Sequence, residues 1–411
     1  MAEKPVFAVH VTRAPSTAAA FAEARAILKA RMPGGRASLA AVFATGHHGS
    51  GGDDMDVVSA EITALRKDLG HPTLVGCVGE SVIGGEEELE RGAGLTVWCA
   101  HLPGERIEPV RMQFGQISED AYAFTGWPES VPPESERPAM VLIGDPFTFP
   151  ADELLKQLNL RSPFLPIIGG MASGGMERGE SRLFLDDAVH ENGAVGVLLS
   201  GPIEVRSVVS QGCRPVGKLF VVTKAEENVI EELGGKPAYQ QMTDMLGELP
   251  ADEQRLVRRS LHVGRVISEN REKFGHGDFL VRNVVGVDKD SGTIAISDYV
   301  RRGTSIQFHV RDARSADADL KQLLAREKRE IVPRSAAGAL LFSCNGRGSR
   351  LFETPHHDIG AVRGELGKIA VGGFFAAGEI GPVGGKNFLH GFTASVALFC
   401  AGGGAAKAAA G

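Results

Sequence analysis

The sequence predicts an α/β protein with two lobes, in which layered β-sheets and helices are built from an approximately repeated strand–helix–strand–strand unit. Three observations predict this class. The chain has 411 residues, 43% hydrophobic and 23% charged, so it can bury a large core and divide into two domains. Its 53 glycines punctuate apolar runs instead of forming a linker-like tract. Short apolar segments also return three times in the same order.

The first element of each copy is a short apolar run, and the second is an amphipathic helix. The runs are strand-sized and bounded by Gly, Asp or Asn, as is typical of buried strands; they lie at 38–44, 139–144 and 339–343. After each run, acidic residues precede apolar residues spaced three and four apart, which predicts a capped helix with one buried face. The apolar positions are Val57, Ile62 and Leu65 in the first copy, Leu154, Leu155 and Leu158 in the second, and Ile359, Val362 and Leu366 in the third.

The third element is a strand that runs into a glycine-rich turn, and the fourth is another apolar strand. The third elements lie at 74–80, 167–174 and 370–379. The fourth elements lie at 95–100, 194–199 and 393–399. Three approximate copies in one order predict a single supersecondary unit that is used repeatedly.

A different stretch, residues 203–335, separates the second and third copies. It contains strand patterns at 219–223, 279–287, 293–297 and 305–310, helical patterns at 239–247 and 316–329, and a hairpin turn at 288–292. We expect this insert and the third copy to form the second lobe. The predicted domains are therefore 35–215 and 216–400, and the Ala/Gly-rich tail 401–411 is expected to be disordered.

Charge and cysteine usage indicate an intracellular protein without nucleic acid or membrane partners. The net charge is −7 and the pI about 6.0, and no basic stripe is present. The N-terminus has no apolar signal segment, and no stretch approaches a membrane span. The cysteines are odd in number and none form a C-x-x-C pair, which favours reduced thiols in the cytoplasm. They are Cys77, Cys99, Cys213, Cys344 and Cys400.

The densest cluster of reactive residue types follows two strands of the third copy. Polar, glycine-rich loops at strand ends let backbone N–H groups approach a ligand. Arg347 offers a fork for a carboxylate or a phosphate, and Glu379 can receive an amino group or orient Arg347. These are the contacts that an amino acid or a similar zwitterion requires. The candidate ligand-binding residues are Cys344, Asn345, Arg347, Gly348, Gly378, Glu379, Asn387 and His390, with Cys77 and Glu80 as pseudo-equivalents in the first copy.

Each candidate also has a structural interpretation. Cys344 can be an ordinary small residue, or a nucleophile if His390 serves as its base. Arg347 can form an internal salt bridge, and Glu379 can hold a turn. The pairs at 47–48 and 356–357 offer metal-ligating histidines, although surface or capping roles are favoured. No nucleotide-binding or known catalytic motif is present, so we predict no cofactor, no metal and no catalytic residue.

Several of these segments resemble the FIST family. The C-terminal half of that family is similar to 341–348, 372–382 and 390–393, its central segment to 212–225, and its N-terminal half to 76–80. The resemblance covers roughly residues 35–400. It implies an intracellular signal-transduction protein that binds a small ligand, such as an amino acid.

The sequence leaves three functions open. The first is a small-ligand sensory module that acts in signal transduction through a separate partner. The second is a thiol- or carboxylate-dependent enzyme on a small metabolite. The third is a protein-recognition scaffold, which a contiguous apolar surface patch would favour over a closed polar pocket.

Overall fold

The computed structural model describes residues 3–48, 52–118, 121–269, 274, 277–332 and 334–401. The chain divides into two compact units. The first contains residues 1–209 and 321–411, and the second contains residues 210–320. The predicted α/β class and the prediction of two lobes are confirmed.

The first two copies of the repeat lie in the first unit. Each copy begins with one additional strand, which we call the lead strand. A short β-hairpin separates the third element of the copy from the fourth. Copy 1 comprises β1 (Val6–Thr12), α1 (Thr17–Arg31), β2 (Leu39–Thr45), α2 (Gly52–Asp68), β3 (Thr73–Gly79), β4 (Val82–Gly84), β5 (Glu87–Leu89) and β6 (Leu95–His101). Copy 2 comprises β7 (Arg106–Ser118), β8 (Ala121–Thr125), β9 (Ala139–Gly144), α3 (Ala151–Arg161), β10 (Ile167–Met171), β11 (Leu183–Leu185), β12 (Ala188–His190) and β13 (Ala194–Ser200).

The lead strand of the third copy, β14 (Glu204–Gln211), precedes the insert. The second unit contains β15 (Cys213–Glu226), β16 (Val229–Leu233), β17 (Lys236–Pro237), α4 (Ala238–Glu248), α5 (Ala251–Arg259), β18 (Leu261–Val266), β19 (Phe279–Asp288), β20 (Thr293–Ile296) and β21 (Ser305–Arg311). The chain returns to the first unit within α6 (Ala313–Glu330). Copy 3 continues with β22 (Ser335–Cys344), α7 (His357–Leu366), β23 (Ala370–Ala376), β24 (Glu379–Val383), β25 (Lys386–His390) and β26 (Thr393–Ala401).

Three sheets of the first unit share one plan. Their strand orders are β1-β6-β2-β3-β11-β12, β8-β7-β13-β9-β10-β24-β25 and β14-β26-β22-β23-β4-β5. In each sheet the strands of the first and third elements of one copy are parallel. The strand of the fourth element lies between the first element and the lead strand and is antiparallel to the first element. The three predicted copies are therefore equivalent units of structure.

The hairpins between the third and fourth strands are exchanged among the copies. The copy 1 hairpin (β4–β5) pairs with β23 of copy 3, the copy 2 hairpin (β11–β12) pairs with β3 of copy 1, and the copy 3 hairpin (β24–β25) pairs with β10 of copy 2. All three pairings are antiparallel. This exchange is cyclic, so each copy completes the sheet of another.

One buried cluster joins the inner faces of the three sheets. It includes Phe43 and Trp98 from the first sheet, Val141 from the second, and Phe342 and Phe374 from the third. The rings of Phe43 and Phe374 have centroids 5.2 Å apart, and those of Phe342 and Phe374 have centroids 5.7 Å apart. Separate clusters pack α1 and α2 against the first sheet and α3 against the second. The three sheets therefore share a common interior, with helices outside the first two.

A glycine at one equivalent position in each third strand allows close backbone contact with the parallel first strand. A Cβ atom there would lie 1.9 Å from the carbonyl oxygen of Val42 at Gly76, and 1.8 Å from the carbonyl oxygens of Leu142 and Leu341 at Gly169 and Gly373. Backbone atoms cannot rotate out of the way as side-chain ends can. This contact explains why glycine recurs in the third element of the repeat.

The second unit is built around a sheet with the strand order β15-β21-β18-β19-β20-β16-β17. An additional pairing between β15 and β16 closes six of these strands into a ring. Val216, Phe220, Val263, Ile294 and Phe308 lie in its buried core, to which Met245 of α4 and Val257 of α5 also belong. This unit therefore has a core of its own.

The insert patterns agree with the structure at β15, α4, β19, β20, β21 and α6. The predicted turn at 288–292 is present, and Asp288 accepts hydrogen bonds from the backbone N–H groups of Asp290 and Ser291. The expectation that the insert forms a lobe with the third copy is wrong. The third copy belongs to the unit of the other two because its hairpin completes the sheet of copy 2. The limits 35–215 and 216–400 remain predictions about sequence regions, and residues 402–411 of the expected tail lie outside the described residues.

No helix among the described residues is both long enough and apolar enough to cross a membrane.

We predict that Gly373→Ala strongly destabilises the protein, because the added methyl group must displace the backbone of β22. The loss in free energy of unfolding should be at least about 1–3 kcal/mol, as for other overpacked cores. Urea denaturation followed by circular dichroism measures it. Gly360→Ala in α7 is the matched control, since no atom beyond its chain neighbours and the nearby backbone of the helix lies within 4 Å of its added Cβ. Equal stability of both variants would contradict the close-contact argument.

Candidate functional site

The candidate site lies where β22 and β23 end. Cys344, the last residue of β22, pairs with Ala376, the last residue of β23. The backbone N–H of Asn345 donates to the carbonyl oxygen of Ala376 at 2.9 Å, which begins the polar loop 345–350. Cys344 and Asn345 are half-buried, whereas Arg347 is fully buried. The loop is therefore buried most deeply at Arg347 and Gly348 and returns to the surface at Ser349 and Arg350.

A buried ion pair between Arg347 and Asp358 is the centre of the site. The guanidinium Nε donates to Asp358 Oδ2 at 2.7 Å and Nη2 donates to Oδ1 at 2.8 Å, so the pair is bidentate. Both side chains are 0% exposed. The Ser343 hydroxyl donates to Oδ2 at 2.6 Å, and His357 Nδ1 lies 2.9 Å from Oδ1. Charge-assisted bidentate hydrogen bonds of this kind are among the strongest in proteins.

The local backbone brings Asp358 to this position. His356 has a left-handed conformation with φ 57° and directs the chain into α7, whose first turn contains Asp358. Burial alone would raise the pKa of Asp358, but the charge and hydrogen bonds of Arg347 outweigh burial and hold the pKa well below its usual range. Asp358 is therefore ionised and Arg347 has its counter-charge. This is the internal salt bridge that the sequence left open for Arg347.

Glu379 begins the exchanged hairpin of copy 3 and lies opposite Gly170 of β10. Its Oε2 accepts from the backbone N–H of Thr393 at 2.9 Å and from the Thr393 hydroxyl at 2.8 Å. Burial raises the pKa of Glu379 to about 8, although the bonds from Thr393, a hydrogen bond from the Cys344 thiol and the charge of Arg347 lower it. At neutral pH the carboxyl group is mostly protonated.

Copy 1 contributes a second buried acid, Glu88, through its exchanged hairpin. Glu88 Oε1 accepts from the backbone N–H of Ile359 at 2.9 Å, and the backbone N–H of Glu88 donates to His356 Nδ1 at 2.9 Å. Burial, followed by the negative charge of Asp358, raises the pKa of Glu88 to about 8. Because their pKa values are raised, Glu88 and Glu379 are mostly neutral at pH 7, beside the ion pair of Arg347 and Asp358.

Four buried polar atoms of this cluster have no hydrogen-bond donor or acceptor of nitrogen or oxygen within the described part of the chain. They are Arg347 Nη1, Asn345 Oδ1, Glu379 Oε1 and Glu88 Oε2. An unpaired buried polar group costs free energy, and such groups are rare in native proteins. The described residues therefore leave these four atoms of the cluster unsatisfied.

Ion pairs and hydrogen bonds hold the loop against neighbouring elements at the rim. Glu80 pairs with Arg350, and the Glu90 carboxylate accepts from the backbone N–H and the hydroxyl of Ser349. Gly348 has φ +57°, and a Cβ there would lie 2.7 Å from the Glu90 carboxylate. Only glycine satisfies both the left-handed conformation and this close approach.

The structure brings together Cys344, Asn345, Arg347, Gly348 and Glu379, with Glu80 at the rim. The other predicted side chains make different contacts, although the backbone of His390 pairs with that of Glu379 in the copy 3 hairpin. Asn387 bonds the backbone of Ile167 and Leu165 at 2.9 Å each, and His390 Nε2 lies 2.9 Å from the Gly381 carbonyl oxygen. The Gly378 carbonyl oxygen accepts from Met171 N–H at 2.8 Å. Cys77 is fully buried in β3, where burial raises the pKa of its thiol.

Sequence reasoning did not find Asp358, Ser343, Glu88 or Thr393 as members of the cluster. Asp358 carried a signal, since it is the acidic residue before the apolar positions of the third helix, but a residue in that place predicts a helix cap. Glu88 carried none, because only the hairpin exchange brings copy 1 to this place. Among the described residues, no three His, Cys, Asp or Glu side chains are grouped so as to hold a metal ion.

Comparison with known proteins finds two family models that together match most of the chain. Residues 38–236 match the FIST N domain, and residues 238–382 match the FIST C domain. An uncharacterized protein of Mycobacterium tuberculosis is 40% identical over 391 residues, which covers 95% of this chain and 98% of that protein. An uncharacterized protein of Mycobacterium bovis is 39% identical with the same coverage of both chains.

Among solved structures, a cyanuric acid hydrolase from A. caulinodans is 12% identical to this chain. The alignment covers 96% of this chain and 98% of that one, with a TM-score of 0.28. A likeness this low carries no argument about fold or function.

We predict that Asp358→Asn destabilises the protein by about 3–5 kcal/mol, because it leaves the buried guanidinium of Arg347 without a counter-charge. Chemical denaturation measures the loss. Glu80→Gln is the matched control, since it breaks an exposed pair with Arg350 that is expected to contribute at most about 1 kcal/mol. A loss at Asp358 no larger than at Glu80 would contradict the central role of the buried pair.

Glu379 predicts a specific pH dependence of stability. In the unfolded chain a glutamate loses its proton near its ordinary pKa of about 4.3, whereas the folded protein keeps the proton up to a pKa of about 8. The folded state binds more protons in between, so the contribution of Glu379 to stability is full below the lower pKa and is lost as pH rises through the upper one.

We therefore expect the free energy of unfolding of Glu379→Gln to fall less than that of the natural protein as pH rises from about 5 to about 8. Urea denaturation at several pH values measures both curves. Parallel curves would show that Glu379 ionises alike in the folded and unfolded states.

Proposed function

The chain belongs to the FIST family, and we propose that it is a small-ligand-binding sensory protein whose ligand occupies the buried polar cluster of the third copy. We infer further that the ligand is an amino acid or a related carboxylate, and that the protein acts in the cytoplasm in signal transduction through a separate partner. The observation that carries the proposal is the set of buried donors and acceptors without a partner in the described chain, on Arg347, Asn345 and Glu379.

The chemistry of these three atoms favours a molecule with both a carboxylate and an amino group. Arg347 Nη1 has N–H groups to donate, while Nε and Nη2 already bind Asp358. Asn345 Oδ1 can only accept, and Glu379 Oε1 accepts when the carboxyl group is ionised. A carboxylate fits the guanidinium, and an ammonium group fits the two oxygens.

The charge balance supports a zwitterion over a simple anion. Arg347 and Asp358 cancel, and burial keeps Glu379 and Glu88 mostly protonated at neutral pH. A bound ammonium group favours the ionised form of Glu379 and lowers its pKa. Binding of an amino acid should therefore release a proton, whereas binding of a simple carboxylate should not.

One observation favours a second candidate, a thiol-dependent enzyme. Cys344 is half-buried, and its thiol bonds Glu379 close to the charge of Arg347. A nucleophilic thiol needs a base, and a carboxylate with a pKa of about 8 is one possible base. The two functions differ in outcome, since an enzyme consumes the molecule that stabilises it.

We test the proposal by thermal unfolding across the twenty amino acids and a set of dicarboxylates. A ligand at a hundred times its Kd should stabilise the fold by about 2.7 kcal/mol, a shift of a few degrees. Asn345→Ala and Glu379→Gln should reduce the shift. Titration calorimetry at pH 7 in two buffers of different ionisation enthalpy then measures the proton release, which Glu379→Gln should abolish.

Glu105→Gln is the matched control for Glu379→Gln. Glu105 is another acid whose pKa is raised by burial, and it accepts from the backbone N–H of Ile203 outside the cluster. Its variant should bind as the natural protein does. A stabilising ligand that is unaffected by both cluster variants would overturn the site, and consumption of the ligand, lost in Cys344→Ala, would establish the enzyme instead.

A further inference from the structure

A polar cleft between copy 2 and α2 of copy 1, away from the cluster described above, contains an arginine without a carboxylate partner among the described residues. Two adjoining cavities of about 520 and 600 Å³ share Gln113, Glu191 and Asn192 in their walls. Arg178 lines the first cavity, and Arg111 and Arg182 line the second. Cavities of this size accommodate small ligands.

Arg111 is held in place by neutral acceptors only. Its Nη1 donates to the carbonyl oxygens of Met112 at 2.5 Å and Ala194 at 3.3 Å, and Nη2 donates to Asn192 Oδ1 at 2.8 Å. A guanidinium has five N–H groups, so one on Nε and one on Nη2 have no acceptor among the residues that the structure describes. These two nitrogens form the edge that binds carboxylates and phosphates in bidentate fashion.

The turn between β12 and β13 is shaped around this guanidinium. Gly193 has φ +68°, and a Cβ there would lie 2.4 Å from Arg111 Nη1. The backbone N–H of Gly193 donates to the Thr148 hydroxyl at 2.9 Å, which fixes the turn. The guanidinium is therefore positioned by a closely packed backbone.

The charge of Arg111 is not compensated within the described chain. Burial lowers its pKa, and no carboxylate opposes this effect. Arg178 also forms no ion pair within the described ranges. Two acids on the cleft walls are already paired, Asp187 with Arg66 and Glu191 with Arg182. The third wall acid, Asp56, lies in α2.

We propose that this cleft binds a small molecule through an oxyanion, a carboxylate or a phosphate, which Arg111 holds in bidentate fashion with support from Arg178. A half-buried guanidinium with an open donor edge and no counter-charge is complementary to such a group. This ligand would be bound at a site separate from the third-copy cluster. The proposal therefore does not depend on the proposed function.

The probes are inorganic phosphate and citrate, each titrated at constant ionic strength with sodium chloride as the compensating salt. We expect at least one probe to raise the unfolding temperature of the natural protein by a few degrees at saturation. Arg111→Met should weaken its binding at least tenfold by calorimetry, and Arg111→Lys should weaken it less. A preference between the two probes distinguishes a phosphate ligand from a carboxylate ligand.

Arg106→Met is the matched control, because Arg106 lies on the same strand but is exposed and pairs with Glu108. It should bind the probe normally. Arg178→Met provides a second test if Arg111→Met does not fold. Equal binding by the natural protein, Arg106→Met and the cleft variants would overturn the proposal, as would the absence of any shift with either probe.

Discussion

The cyclic exchange of hairpins is the constraint on which the first unit depends. Each sheet gains its last two strands from another copy, through antiparallel pairing to β3, β10 or β23. No copy can complete its sheet alone, and the aromatic side chains on the inner faces pack into one shared interior. The same exchange assembles the candidate ligand site. Cys344 lies on the third sheet, Glu379 begins a hairpin on the second, and Glu88 comes from copy 1.

Much of this fold could be predicted because the signals are local. Apolar runs, helix spacing and glycine positions repeat three times, and the insert patterns at β19 and β20 are bounded by a clear turn. The lead strands β1, β7 and β14 were not predicted, since they lie outside the four apolar elements that recur in each copy. The grouping of the third copy with the insert was wrong because sequence order suggests neighbours, whereas hairpin pairing between distant segments decides which sheets form together.

The site was predictable only as far as it lies on one stretch of chain. The loop 344–348 and Glu379 follow neighbouring strand ends of a single copy, so their proximity follows from strand order. The position of Asp358 at the start of a helix predicts a cap, but its bidentate pair with Arg347 depends on the left-handed backbone of His356, which sets the direction in which α7 begins. Arg111 gave no signal at all. It is one charged residue in an alternating strand, and its lack of a carboxylate partner is a property of the surrounding surface.

The hairpin exchange also sets the order in which the sheets can be completed while the chain is being synthesised. Copies 1 and 2 leave the ribosome long before β23 and the β24–β25 hairpin exist, so β4–β5 has no sheet to join and β10 has an unpaired edge. Exposed strand edges and apolar faces favour aggregation during folding. Until the chain has been made as far as His390, the first sheet is the only complete one among the three sheets of the first unit. Apolar faces and strand edges of the first unit therefore stay open until the third copy is made, and the length of that interval depends on which segments pair and not on the stability of the finished protein.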